Sequence, residues 1–201
     1  MNKMKPILFN TEMVCAILDG CKSSTRRLIK PQPEGKVAHF TGFNTDYWAE
    51  EKKTPTGLVA VEMKRPFEVG DILYVREKWC LRYDGEKYFY FADKNTNREE
   101  PQLLDYDDVR WHPSIHMPKN AARLFLKVTA VKAERLQDFL CCRDEILKEG
   151  VSFDNYETAT SQFKDLWNST IRPEDAVVYG FDANPWVWAV EFERCEKPEE
   201  F

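Results

Sequence analysis

The sequence predicts an α+β fold built on a mostly antiparallel, barrel-like sheet with a few peripheral helices. Three observations carry this expectation. Segments with two-residue alternation outnumber those with helical spacing, and no strand–helix–strand rhythm runs along the chain. The clearest β signal, "FEVGDILYVREKWCLR", is followed at once by a second strand-like run, "DGEKYFYFA", which suits a hairpin. One domain is expected over residues 1–201, with insertions at about 31–66 and 84–108.

The elements follow in order. Residues 5–9, "KPILF", read as a short buried strand. A helix comes next, with Asn10 as N-cap, Met13, Val14, Ile17 and Leu18 at helical spacing, and Gly20 as the stop. "TRRLIK" is a strand halted by Pro31 and Pro33. Residues 31–66, rich in Pro, Gly, Thr and Lys and carrying Phe40, Phe43, Tyr47 and Trp48, read as an insertion that is partly strand. After the turn at Val69, Gly70 and Asp71, residues Leu73, Val75 and Glu77 alternate with Ile72, Tyr74 and Arg76. Residues 93–110 are acidic and polar, and read as a loop. "ARLFLKVTAVKAERL" is a strand, and "LQDF" after it opens a helical stretch. "CCRDEILKEG" and "ETATSQFKDLWNSTI" are helical, the latter with Phe163, Leu166 and Trp167 on one face. "NPWVWAVEFERC" alternates, which places Trp186, Trp188, Val190 and Phe192 on one side.

With 43% hydrophobic and 13% aromatic residues the chain can form a core. A net charge of -5 argues against coating nucleic acid by bulk electrostatics, though a local basic groove is compatible with it. The six cysteines form no C-x-x-C pair, and Cys141 and Cys142 are adjacent, so reduced thiols in the cytoplasm are expected. No signal-like or membrane-length apolar run occurs, so no membrane partner is expected.

No dinucleotide, Walker, nucleophile-elbow or H-E-x-x-H motif is present. His112 and His116 stand four apart, a spacing metal sites use, but Pro113 removes the helix that would align them, so neither metal nor cofactor is expected. The densest cluster of cations and hydroxyls is "DGCKSSTRR", residues 19–27. Lys22 and Thr25 lie three apart in a turn between helix and strand. A Thr hydroxyl needs a neighbouring base to act as a nucleophile, and a Lys can serve if burial or nearby cations lower its pKa. Arg26 and Arg27 supply such cations and also suit phosphate or base edges. Against this stands the plain alternative of a solvated polar turn. "WHPSIHMP", residues 111–118, could wall a pocket with Trp111, Ser114 and His116, or be a structural loop. Glu77 lies among apolar strand residues, where it either does chemistry or pairs with Arg26 or Arg27.

Gly20, Lys22, Thr25 and Arg27 resemble the G-x-K-x-x-T-x-R signature of the ASCH domain, a PUA-like β-barrel family. "GDILYVREKW" and "NPWVWAVEFER" are similar to two of its strands. "WHPSIHMP" with "ARLFLKVTAVKAERLQD" resembles the longer bacteriophage and prophage ASCH proteins. The resemblance implies a cleft facing RNA, single-stranded nucleic acid or a modified nucleoside, with Ser24, Arg26, Arg27, Glu77, Trp111, Ser114, His116 and Trp186 around the ligand. It also implies a second activity, deacylation of an N4-acylated cytidine. There Lys22 is the base, Thr25 the nucleophile and Glu149 the proton donor, with Glu77 the fallback. A protein-interaction or regulatory factor without a nucleic-acid ligand is the third expectation.

Overall fold

The computed structural model describes residues 3–42, 45–81, 87–96 and 110–199. The chain runs β1 (Met4–Leu8), α1 (Thr11–Leu18), β2 (Ser24–Leu28), β3 (Val37–Gly42), β4 (Thr45–Thr54), β5 (Gly57–Glu62), β6 (Ile72–Arg76), β7 (Trp79–Leu81) and β8 (Tyr88–Tyr90). It continues through α2 (Phe91–Thr96), β9 (Phe125–Arg135), α3 (Arg143–Lys148), α4 (Tyr156–Ser169), α5 (Ala176–Tyr179) and β10 (Trp186–Cys195). The strands form sheets of order β1-β6-β9-β10-β2, β3-β4-β5 and β7-β8. The pairing of β1 with β6 is parallel; those of β6 with β9, β10 with β2, β3 with β4, β4 with β5 and β7 with β8 are antiparallel. The class is therefore α+β with mostly antiparallel strands. The expected barrel is not seen closed among the described residues, because the largest sheet ends at β1 and β2. Alternation in a sequence reports that a strand buries a face; it carries no information on whether the outermost strands meet.

The chain divides into two compact units, one of Met1–Ser23, Gly70–Val128 and Phe192–Phe201, the other of Ser24–Val69 and Thr129–Glu191. In the first, α1 starts where Asn10 Oδ1 accepts a hydrogen bond from Met13 N at 2.9 Å. It ends as the sequence predicts. Gly20 takes φ 76°, Gly20 N donates to Ile17 O and Cys21 N to Ala16 O, and so two of the helix's last carbonyls are satisfied. In β6 the expected alternation holds, with Leu73 and Val75 fully buried. Met117, Ala121, Ala122 and Phe125 pack with Tyr74, Trp79, Tyr88 and Tyr90 into one core. The stretch 93–110 departs from a plain loop at its start, since residues 91–96 are helical; 97–109 lie outside the described residues. "WHPSIHMP" makes a 3₁₀ turn at Ser114–His116, and His112 pairs with Trp79 as an isolated bridge with stacked rings 4.9 Å apart.

In the second unit Phe139, Ile146, Ala159, Phe163, Trp167, Phe181 and Val187 share one core. The face expected on α4 is buried at Phe163 and Trp167, and Asn155 Oδ1 caps that helix by accepting from Thr158 N at 2.8 Å. Burying a side chain such as Phe163 contributes about 1.5–3 kcal/mol. On the side expected for Trp186, Trp188, Val190 and Phe192 the last three are buried, and Val187 and Ala189 on the opposite side are buried as well, so this part of β10 is covered on both faces. Residues 31–66 hold the β3-β4-β5 sheet, in which β5 is exposed throughout. Glu50 of β4 is buried, and its Oε1 accepts from Glu34 N at 2.6 Å and Gly35 N at 2.9 Å. Burial alone would raise the Glu50 pKa, but these amides and Lys52 hold it below the usual carboxylate value.

Candidate functional site

The turn that the sequence singles out is not solvated. Lys22 is 3% exposed, Ser24 1%, Thr25 3% and Arg26 5%. Cys21 before them is exposed, so burial begins where the Schellman-type end of α1 hands the chain on. Lys22 belongs to the first unit, where its Nζ lies 5.8 Å from the centroid of the Phe9 ring. From Ser24 the chain is β2 in the second unit, antiparallel to β10 with Thr25 opposite Val190 and Arg27 opposite Trp188. Strand alternation puts Ser24 and Arg26 on one face, and Thr25 and Arg27 on the other.

On the Ser24 face the Arg26 guanidinium lies among three glutamates. Nε donates to Glu134 Oε1 at 2.9 Å, and Nη1 donates to Glu149 Oε1 at 2.7 Å and to Ser24 Oγ at 3.3 Å. Nη2 approaches Glu134 Oε1 at 2.8 Å and Glu145 Oε2 at 3.6 Å, ion-pair contacts that are not hydrogen bonds. The guanidinium carbon stands 3.8 Å from the centroid of the Phe139 ring. Ser24 Oγ donates in turn to Glu149 Oε1 at 3.2 Å. Glu149 is the C-cap of α3, and Gly150 at φ 80° lets the chain turn away immediately after it. Glu145 lies one helical turn earlier on the same side, so α3 offers two carboxylates to one arginine. Burial pushes the Glu145 pKa up, but Lys148, Lys132 and Arg26 outweigh it and hold the group below its usual value. On Arg27 burial wins over the attraction of Glu149, and its pKa is lowered.

The expected pairing of Glu77 with Arg26 or Arg27 is corrected. Glu77, 1% exposed, receives both arms of Arg123, at 2.9 Å on Oε1 and 3.0 Å on Oε2. Arg123 also reaches both oxygens of Asp93 and stacks 3.9 Å from the Tyr90 ring centroid. The geometry decides this pairing, because Arg123 lies two residues before the start of β9, the antiparallel neighbour of β6, and Glu77 immediately follows β6. Trp111, half-buried, meets Phe91 edge-on at 5.0 Å, Ser114 is half-buried and His116 is exposed. Trp186 is half-buried under the Arg135 guanidinium at 4.7 Å, with its backbone held at both ends by the Gln32 amide.

Of the expected residues, then, Ser24, Arg26 and Glu149 form one bonded cluster, while Glu77 lies in another. Glu134, Glu145, Phe139, Arg123 and Asp93 were missed. Glu145 was within reach of the sequence, four residues before Glu149 on a helix, whereas Asp93 gave no signal at all. No group of three His, Cys, Asp or Glu disposed to hold a metal ion is found among the described residues, and no helix among them is long and apolar enough to cross a membrane. Comparison with protein-family models, with curated proteins and with solved structures found no match for the chain.

Proposed function

We propose that the chain is an ASCH-type, PUA-like protein of the phage or prophage kind that binds a nucleoside or modified base through its "GCKSSTRR" turn. The observation that carries the reading is the burial of Lys22, Ser24, Thr25 and Arg26, because buried polar groups at this density are retained for bonding or chemistry. A solvated turn would have left them to water. Arg26 is enclosed by Glu134, Glu145, Glu149 and Phe139, which favours a base-sized ligand over an RNA backbone gripped by phosphate contacts. The test is titration with nucleosides and with single-stranded RNA at two salt concentrations. Nucleoside binding should change little with salt, whereas affinity for RNA that falls steeply with salt would return the reading to backbone recognition. If neither binds, a regulatory factor without such a ligand is the better description.

A second reading, amidohydrolysis of an N4-acylated cytidine, is favoured by one further fact: Lys22 and Thr25, three residues apart, are each only 3% exposed. Lys22 would take the Thr25 proton, Thr25 Oγ1 would attack the amide carbonyl, and Glu149 would protonate the departing amine; water then releases the acyl group. Incubation with N4-acetylcytidine should give cytidine and acetate, with turnover reduced by about 10²–10⁴-fold in Thr25→Ala and in Lys22→Ala. Absence of turnover by the wild type, or full turnover by both variants, rejects this chemistry.

A further inference from the structure

We propose that the open edge of β5 docks the β5 edge of a second copy of this chain, antiparallel and centred on Ala60, so that two β3-β4-β5 sheets join into one. β5 is an outer strand of its sheet, and among the described residues no strand pairs with its far side. Gly57–Glu62 is exposed at every position, with Leu58 at 70% and Val59 and Val61 at 41% each. The segment, GLVAVE, contains no Pro and no Lys, and its register with β4 is unbroken by a bulge. Those are the devices that ordinarily keep an edge from pairing.

Which groups face outward follows from the register. Met63 N donates to Trp48 O at 2.7 Å, and Ala49 lies opposite Glu62. Bonded and non-bonded positions alternate in an antiparallel ladder, so Gly57, Val59 and Val61 bond to β4, while Leu58, Ala60 and Glu62 turn N–H and C=O outward. Another extended strand fits such a row, and a two-fold axis at Ala60 makes β5 its own complement. Ala60 then exchanges two hydrogen bonds with the partner's Ala60, Leu58 two with the partner's Glu62, and Glu62 two with the partner's Leu58. Val59 falls opposite the partner's Val61 in the closer, non-bonded position, where branched side chains pack.

Charge agrees with this register. Lys53 lies opposite Leu58 on β4, so Lys53, Leu58 and the partner's Glu62 make one row on one face. The unlike charges stand two strands apart, about 10 Å, within reach of their long side chains. No like charges oppose each other directly, whereas a slip that set Glu62 against the partner's Glu62 would oppose them. An unrelated strand would meet the same backbone groups without the paired valines or the charge rows. One strand a side is a small contact, below the ~1,200 Å² at which stable interfaces begin, so the dimer has a Kd on the order of 10–100 μM.

The test is sedimentation equilibrium of the full chain from about 5 to 500 μM, a range that spans the association expected of so small a contact. The wild type should move from monomer toward dimer mass. Ala60→Pro removes an outward N–H and leaves the bonds to β4, so association should weaken at least about tenfold. Leu58→Glu brings a carboxylate opposite the partner's Glu62 twice over, and should weaken it about tenfold. Adding Glu62→Lys to Leu58→Glu restores unlike pairs, and should return the Kd to within about threefold of wild type. A wild type that stays monomeric overturns the proposal. So does a dimer unaffected by Ala60→Pro, or a double variant no tighter than Leu58→Glu alone. If Ala60→Pro does not fold by circular dichroism, the two charge variants decide, since positions 58 and 62 are both exposed.

Discussion

Glu77 shows how one residue can be marked by sequence and still be assigned the wrong partner. Its place among apolar strand residues requires a cation, and Arg123 supplies one through two parallel bonds. Removing that partner leaves a carboxylate out of water, so Arg123→Met should cost about 3 kcal/mol in urea unfolding. The pH dependence has a definite sign. Burial raises the Glu77 pKa above the usual 4.5, with Arg123 opposing but not cancelling the shift. An acid whose folded pKa exceeds its unfolded value binds more protons when folded. Its contribution therefore favours the fold most below 4.5 and is lost as the pH rises through the raised folded value. The stability of wild type relative to Glu77→Gln should decline with rising pH in the window just above 4.5, and a flat difference across that window would contradict the assignment.

At the scale of elements, two glycines do work that their sequence context only half reveals. Gly20 ends α1 at φ 76°, and a Cβ there would meet nothing within 4 Å. Gly20→Ala is therefore expected to cost about 1 kcal/mol through backbone conformation alone, read as a lower urea midpoint with an unchanged slope. Gly35 is different. Its ideal Cβ would collide with the Glu51 carbonyl of β4, while its N–H serves the Glu50 carboxylate. Gly35→Ala must move backbone, and should cost more than Gly20→Ala in the same measurement. Helix ends were legible because capping is local, a matter of four or five neighbouring residues. The approach of residue 35 to β4 is a tertiary contact that no local pattern encodes.

Over the whole molecule, each compact unit is assembled from separated stretches: three for the unit that begins the chain and two for the other. β9 and β10 each run through the boundary between stretches, at residues 128–129 and 191–192. A fragment ending at Val128 would lack every residue of the Phe139–Phe163–Trp167 core and also the closing segment from Phe192. Such a fragment should show no cooperative unfolding transition by circular dichroism, whereas the full chain should. Within the full chain, Phe163→Ala should destabilise by about 3–5 kcal/mol, and Val177→Ala, at an 88% exposed position, by less than about 0.5 kcal/mol.

By itself the sequence determined the α+β class, the caps of α1, the alternation of β6, the stranded character of residues 31–66, and the choice of Lys22, Thr25 and Glu149 as residues to watch. All of these follow from local periodicity, from capping chemistry, or from a short signature. Only the tertiary structure decided that the turn is buried rather than solvated, that Arg26 is enclosed by three glutamates, that Glu77 belongs to Arg123, that β10 is covered on both faces, and that the largest sheet runs from β1 to β2 without closing among the described residues. The physical reason is common to them. Ion pairing, burial and closure depend on which distant stretches come within a few ångströms of one another, and a charged side chain reads the same in sequence whether it faces water or another charge.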